Sequence, residues 1–256
     1  MTTPQWTGVG LTDIGRVRLS NQDAFLVVNE VGLYVVADGM GGHAGGDRAS
    51  RLAIDAFEEV WRSLPTGAPS GTTAAHIEGF LRSTIAAAHR HILDEGARVP
   101  ELRNMGTTLV SMHVSHSWPA TACIAHVGDS RAYLYRDGAL RQLTCDHSVV
   151  EDFVRRGLLS RAEAAVHPNR HALTRAVGIE TTVEPDVTTI TLELHDQLLL
   201  CTDGLTKMIA DEELATWLRQ PDKDPATTCR QLVEECNRRG GVDNITVVLC
   251  RAGSPS

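Results

Sequence analysis

Three aspartates stand at the ends of apolar runs: Asp38 after YVVA, Asp203 after LLLCT and Asp243 just ahead of ITVV. Short aliphatic runs of this kind read as buried strands, and antiparallel pairing brings such strand ends to one sheet edge. Carboxylates gathered there would hold a hard divalent cation, because oxygen donors suit Mg²⁺ or Mn²⁺ whereas imidazole and thiolate suit Zn²⁺. The eleven histidines form no HExxH pair and the six cysteines no CxxC, which points the same way. Taken singly, each aspartate also fits a turn, since Asp-Gly at 38–39 and 203–204 is a common turn dipeptide.

Further residues fit around these three. Asp129, in AHVGDSRAYLY, lies in a tight turn between two expected strands. Asp38 leads into GMGGHAGG, which lacks GK[ST] and GxGxxG, so the glycines serve a sharp turn and a close carbonyl, that of Gly39, rather than a nucleotide loop. Upstream, TDIGRVRLSNQDAF supplies Arg18, whose guanidinium fork suits a phosphate dianion, and Asp23. His89 with His91, and His113 with His116, fall on opposite faces of a helix and of a strand, so they read as packing or surface residues.

The elements that must position these groups follow from periodicity and turn punctuation. Strands are expected near 24–28, 33–37, 107–114, 120–127, 131–136, 187–192, 197–202 and 245–250, and helices over 46–63, 73–95, 211–219 and 225–239. Ala49, Leu52, Ala53, Ala56, Phe57 and Val60 form one apolar stripe on the first helix. Residues 148–178 are charged and read as a loop-like insertion over the sheet. No Pro/Gly/Ser linker divides the 256 residues, so residues 1–256 read as one domain. The net charge of −8, without any Lys/Arg run, argues against nucleic acid as a partner. The scattered cysteines and the start MTTPQWTGVG suggest a reduced, cytoplasmic chain with no membrane anchor.

The ordered set DIGRVRLSNQDAF, VVADGMGGHAGGDRAS, MGTTLV, VGDSRAYLY, LTCDHS, TDGL and GGVDNITVV, spanning about residues 7–250, resembles the bacterial form of the metal-dependent PP2C (PPM) protein serine/threonine phosphatases. The resemblance implies an α+β fold, an α-β-β-α sandwich of two antiparallel sheets flanked by helix pairs. It also implies that Asp38 bridges two Mn²⁺ or Mg²⁺ ions, with the Gly39 carbonyl on the second and Asp203 and Asp243 on the first. Asp129 with Asp203 would hold a third, weaker ion. Gln22 stands where some relatives carry Glu, so Gln22 and Asp23 are expected just behind the ions, Gln22 acting through its amide oxygen or a water.

The implied reaction is attack of a metal-activated water on phosphoserine or phosphothreonine, with Arg18 holding the phosphate and His43 as candidate acid for the leaving alkoxide. No covalent phosphoenzyme is needed, and no cysteine has an arginine six residues later. By resemblance, 148–178 is the substrate flap, where Arg155, Arg156, His167 and Arg170 would attract a phosphorylated peptide. The expected partners are phosphoproteins and a bacterial Ser/Thr kinase, with the enzyme a monomer. A catalytically impaired phosphoprotein-binding module on the same fold is the alternative, and a hydrolase of small phosphate esters a third reading. The full set of four aspartates argues against an impaired protein.

Overall fold

The computed structural model describes residues 5–42, 45–63, 73–115, 119–219 and 224–252. Two antiparallel sheets face each other. One contains β1 (Trp6–Asp13), β11 (Ile245–Ala252), β10 (Gln197–Cys201), β7 (Arg131–Arg136) and β8 (Ala139–Gln142), hydrogen-bonded in that order. The other contains β2 (Asp23–Val28), β3 (Leu33–Met40), β5 (Leu109–Val114), β6 (Thr121–Val127) and β9 (Asp186–Thr191) in order, with the short β4 (Gly106–Thr107) also on β3.

Alternation along the strands dictates the layering, because successive side chains point to opposite faces. On β3, Tyr34 and Val36 point to the other sheet and meet Leu198, Leu200, Val248 and Cys250 in the central apolar layer. Leu33, Val35 and Ala37 point outward, against α1 (Gly45–Ser63) and α2 (Ala74–Arg98). The outer face of the first sheet, including Tyr133, Leu199 and Leu249, is covered by α5 (Asp203–Thr206), α6 (Asp211–Leu218) and α7 (Pro225–Arg238). The α-β-β-α sandwich is therefore present. The stripe read on α1 is the buried one: Ala49, Ala53, Ala56 and Phe57 are in the core and Leu52 packs against it.

Four local expectations change. The strand β1 was not anticipated, because Gly8 and Gly10 dilute its pattern. Both glycines are needed where the sheets approach, since a Cβ would lie 2.4 Å from the Tyr34 ring at one and 2.3 Å from the Phe25 ring at the other. The strand expected over 107–114 breaks at Thr108, whose amide donates to the Asp38 carbonyl. Asp38 and Gly39 lie within β3 rather than past its end. Residues 148–178, expected as loop, contain α3 (Val149–Arg155) and α4 (Arg161–Val166). Ser148 caps α3 through the Glu151 amide, and Ser160 with Glu163 forms a full capping box on α4. The two Ser-x-x-Glu spacings were the signal for these helices.

Among the described residues no helix is long and apolar enough to cross a membrane. Phe57 is fully buried between α1 and the second sheet. Phe57→Ala is expected to cost about 3–5 kcal/mol of stability, read as a lowered midpoint in denaturant with an unchanged slope.

Candidate metal centre

Antiparallel pairing of β10 with β11 sets Cys201 opposite Val247, so the residue following β10 and the turn preceding β11 meet at one end of the first sheet. Asp203 and Asp243 are placed there. Asp38 comes from β3 of the other sheet, and Asp129 from the turn by which β6 of one sheet passes to β7 of the other. The acids thus converge between two sheets, not along the single edge anticipated from the sequence. They line a cleft of about 340 Å³ together with Arg18, Gln22, Gly39, Thr108, His171 and Lys207.

Each carboxylate is aimed by its backbone neighbours. The Asp38 carbonyl accepts from the Thr108 amide and the Thr107 hydroxyl, both at 2.9 Å, and the Asp38 amide donates to the Thr108 hydroxyl at 3.2 Å. Thr108 also bonds the Ser130 hydroxyl at 2.7 Å, tying Asp38 to the Asp129 turn. That turn needs Gly128, whose φ is +105° and whose added Cβ would meet the Thr108 Cβ at 2.6 Å. Asp203 opens α5, and Gly204 lets this helix sit on Asn244: a Cβ there would lie 1.8 Å from the Asn244 carbonyl. Asn244 donates to the carbonyls of Ile14 and Ser20 and accepts from the Gln22 amide, which pins the Arg18 loop beside Asp243.

Asp23 lies opposite Asp38 in the β2–β3 register, buried behind the cleft. Its Oδ2 accepts from the hydroxyls of Thr202 at 2.9 Å and Thr246 at 2.7 Å, while Oδ1 has no partner. Burial pushes its carboxyl up to about 7, against those two hydroxyls and with help from the charges of Asp203 and Asp243. Asp129 is also raised to about 7, by burial and then by Asp203 and Asp146. Asp38 is raised well above the ordinary carboxylate range by burial, and further by Asp23, Asp203, Asp129 and Asp243. Asp243 is lowered: burial opposes ionisation, but Lys207 and Arg18 outweigh it.

Two cations answer these five acids at the cleft. Arg18 forks onto Asp243, Nε to Oδ1 at 2.8 Å and Nη2 to Oδ2 at 2.9 Å. Lys207 Nζ lies 2.5 Å from Asp203 Oδ2 and 2.7 Å from Asp243 Oδ2. Negative charge remains in excess, and the buried Oδ1 atoms of Asp203 and Asp23 are unpartnered. Orphaned carboxylate oxygens, an all-oxygen donor set and mutually raised acids fit hard divalent cations.

The remaining expected residues divide. Gln22 lines the cleft, and its Nε2 donates to the Gly42 carbonyl at 2.6 Å, so it clamps the glycine loop. The expected flap residue Arg170 lines an adjoining cavity of about 810 Å³. Arg155, Arg156 and His167, placed at the substrate by resemblance, line neither space. Both arginines are exposed at the end of α3, and His167 packs edge-on to Phe153. His43 and His116 lie outside the described residues. His89 is buried and accepts from the Gly178 amide, a packing role.

Sequence reasoning missed Lys207, Asn244, Thr202, Thr246 and His171. Lys207 lies four residues after Asp203 on the same helical turn, a spacing that pairs opposite charges. His171 lines both the cleft and the adjoining cavity. Away from the cleft, His126 stacks on His147 at 4.5 Å, and His147 and Asp186 approach at 3.3 Å. The Gly128 amide donates to His147 Nδ1, which leaves the proton on Nε2 to donate to Asp186. This network supports the Asp129 turn, and Arg175 on Asp186 already supplies its positive charge.

The protein phosphatase 2C family model matches residues 15–221. The chain is similar to the serine/threonine phosphatase stp of Listeria monocytogenes serovar 1/2a, 38% identical over 241 residues, which covers 93% of this chain and 92% of that one. Its fold is similar to the S. agalactiae serine/threonine phosphatase, with a TM-score of 0.88, 33% identity and coverage of 97% of this chain and 100% of that one. It is also similar to the catalytic domain of the serine/threonine protein phosphatase PstP in complex with two manganese ions, with a TM-score of 0.83, 32% identity and coverage of 97% and 99%.

The raised carboxyls make a prediction for protein stripped of divalent ions. An Asp with a folded value near 7 and an ordinary value of 3.8 keeps its full stability contribution below the ordinary value. It loses that contribution as pH rises toward 7, because the native state must then ionise a buried acid. Thermal midpoints should fall from about pH 5 to about pH 8. Asp23→Asn, which keeps an acceptor for the two threonines and turns a donor toward the cluster, should flatten that fall and melt higher than wild type at the upper end.

Proposed function

Because the chain belongs to the protein phosphatase 2C family, it is a metal-dependent protein serine/threonine phosphatase, and we propose that its reaction runs in the cleft between the two sheets. In this reading Asp38 and the Gly39 carbonyl would hold one Mn²⁺ or Mg²⁺ ion, Asp38 with Asp203 and Asp243 would hold a second, and Asp129 with Asp203 a third, weaker one. The observation that carries it is the convergence of five carboxylates with unpartnered buried oxygens on Asp203 and Asp23. When bound, such ions would supply charge that lowers the pKa of a water toward neutrality and offsets charge on the phosphoryl oxygens.

The residues of the chain do the rest. Arg18, half-exposed at the cleft mouth, turns its fork from Asp243 to the phosphate dianion and holds it for in-line attack. Asp23, Thr202 and Thr246 fix the buried wall behind Asp38. Thr108 and Ser130 keep Asp129 in register with Asp38, which preserves the spacing that in-line displacement requires. His43 is assigned as the proton donor to the leaving serine or threonine alkoxide, a role suited to an imidazole near neutrality. Gln22 donates to the carbonyl of Gly42, the residue before that histidine in the sequence.

The substrates are phosphoproteins, and we assign them to a Ser/Thr kinase pathway in the cytoplasm. Six cysteines, all free, support a reducing compartment. We read the enzyme as a monomer, because the cleft residues all come from one chain. A catalytically impaired binding module would not need all four aspartates in the cleft, and they are all there.

The direct test is phosphate release from a phosphothreonine peptide with Mn²⁺ and with chelator. Release only with the metal, and faster than from a small aryl phosphate at equal concentration, supports the reading. Metal-independent release contradicts it. Asp38→Asn should lower turnover by about 10³-fold with circular dichroism unchanged; retention above about a tenth of the wild-type rate removes Asp38 from the bridging role. Arg18→Ala should raise KM for the phosphopeptide by about tenfold or more, and Arg18→Lys should recover only part, because the ammonium cannot fork. An unchanged KM in both variants returns Arg18 to a purely structural partner of Asp243.

A further inference from the structure

The chain uses arginine almost wherever it needs positive charge: 22 arginines against two lysines, Lys207 and Lys223. One of those two lysines stands inside the carboxylate cluster. Lys207 caps the short α5, and its Nζ bridges Asp203 Oδ2 at 2.5 Å and Asp243 Oδ2 at 2.7 Å. Burial opposes its charge, but the two carboxylates outweigh burial and keep the ammonium protonated, above its ordinary value. These are the two acids assigned above to one of the divalent ions.

An ammonium and a divalent cation cannot both use the same carboxylate oxygens at close range. Mn²⁺ or Mg²⁺ takes its oxygens at about 2.0–2.2 Å, and a lysine nitrogen hydrogen-bonded to those oxygens would then sit against the ion with like charge. Lysine suits such an exchange better than arginine, being a compact point charge on a flexible four-carbon stem rather than a planar fork. It also has somewhere to go. Lys207 lines both the cleft and the adjoining 810 Å³ cavity, whose lining also includes Asp211 and Glu212.

We propose that Lys207 is an internal competitor for the metal centre: its ammonium holds Asp203 and Asp243 together without divalent ions, and metal entry drives it into the adjoining cavity. The inference rests on the metal-centre reading given above. Its consequence is a centre that stays assembled when metal is scarce, at the expense of metal affinity. Removing the ammonium should tighten metal binding even though no ligand is added.

Two measurements test it. The first uses the unaltered protein and an amine-acylating reagent, for which the chain offers only Lys207, Lys223 and its amino terminus. An ammonium held between two carboxylates is shielded from the reagent, so Lys207 acylation, relative to Lys223 in the same sample, should rise severalfold when Mn²⁺ is added. The second is calorimetric titration with Mn²⁺ alone. Lys207→Met, similar in length and uncharged, should bind Mn²⁺ about tenfold or more tightly than wild type, whereas Lys207→Arg should stay within about threefold of it.

Equal affinities in wild type and Lys207→Met, or a Lys207 acylation ratio indifferent to Mn²⁺, overturn the proposal while leaving the metal centre standing. Failure of the wild type to bind Mn²⁺ at all overturns both together. Should Lys207→Met fail to fold by circular dichroism, the acylation ratio of the wild type decides alone.

Discussion

Electrostatic repulsion among carboxylates held close together in a protein interior is the constraint on which the structure turns. Asp23, Asp38, Asp129, Asp203 and Asp243 raise one another's energy on ionising, as the upward shifts at Asp23, Asp38 and Asp129 record. A chain left to itself would relieve such a cluster by moving its acids apart. This one prevents it by placing the acids on different strands, turns and a helix start, tied down by hydrogen bonds of the neighbouring residues. The two sheets are in turn fixed to each other by a continuous apolar layer built from Tyr34, Val36, Leu198, Leu200 and Val248. Hydrophobic burial at the centre of the sandwich offsets the electrostatic strain at its end.

The supports around the acids are mostly neutral and short-ranged. Thr107 and Thr108 grip the backbone of Asp38, Thr202 and Thr246 hold Asp23, and Asn244 binds three backbone groups of the Arg18 loop. Glycines appear where backbones must touch: Gly204 on Asn244 and Gly128 on Thr108. Hydroxyls and amides of this kind position a carboxylate without neutralising it, so its charge stays available to a cation. Arg18 and Lys207 do neutralise, and both reach Asp243 from flexible side chains that can let go. On the proposed reading, this division between fixed neutral supports and flexible cations would let the same cleft accept metal and phosphate in turn.

Much of this was legible in the sequence because it rests on strong local patterns. Aliphatic runs flanked by Asp marked β3, β10 and β11, and the α-β-β-α layering was implied by the ordered motifs of the resemblance. What the sequence hid depended on contacts between distant segments. Strand β1 owes its glycines to rings on β2 and β3, so its own composition argues against a strand. The break at Thr108 exists because Asp38, some seventy positions earlier, claims its amide. Arg155, Arg156 and His167, placed at the substrate by resemblance, line neither the cleft nor the adjoining cavity, because basic charge on a short helix carries no information about which way the helix faces. The capping signals at Ser148 and Ser160 were present and carried more weight than the charged composition around them.

The central claim is that the acids between the sheets, and not some other cluster, are where the divalent ions act. The stacked pair His126 and His147 with Asp186 is the one competing group of ligand type among the described residues. Crystals soaked in Mn²⁺ and measured by anomalous diffraction separate the two directly. The account predicts anomalous peaks within coordinating distance of Asp38, Asp203 and Asp243. Peaks confined to the histidine pair, or a cleft without any peak at saturating Mn²⁺, would contradict it.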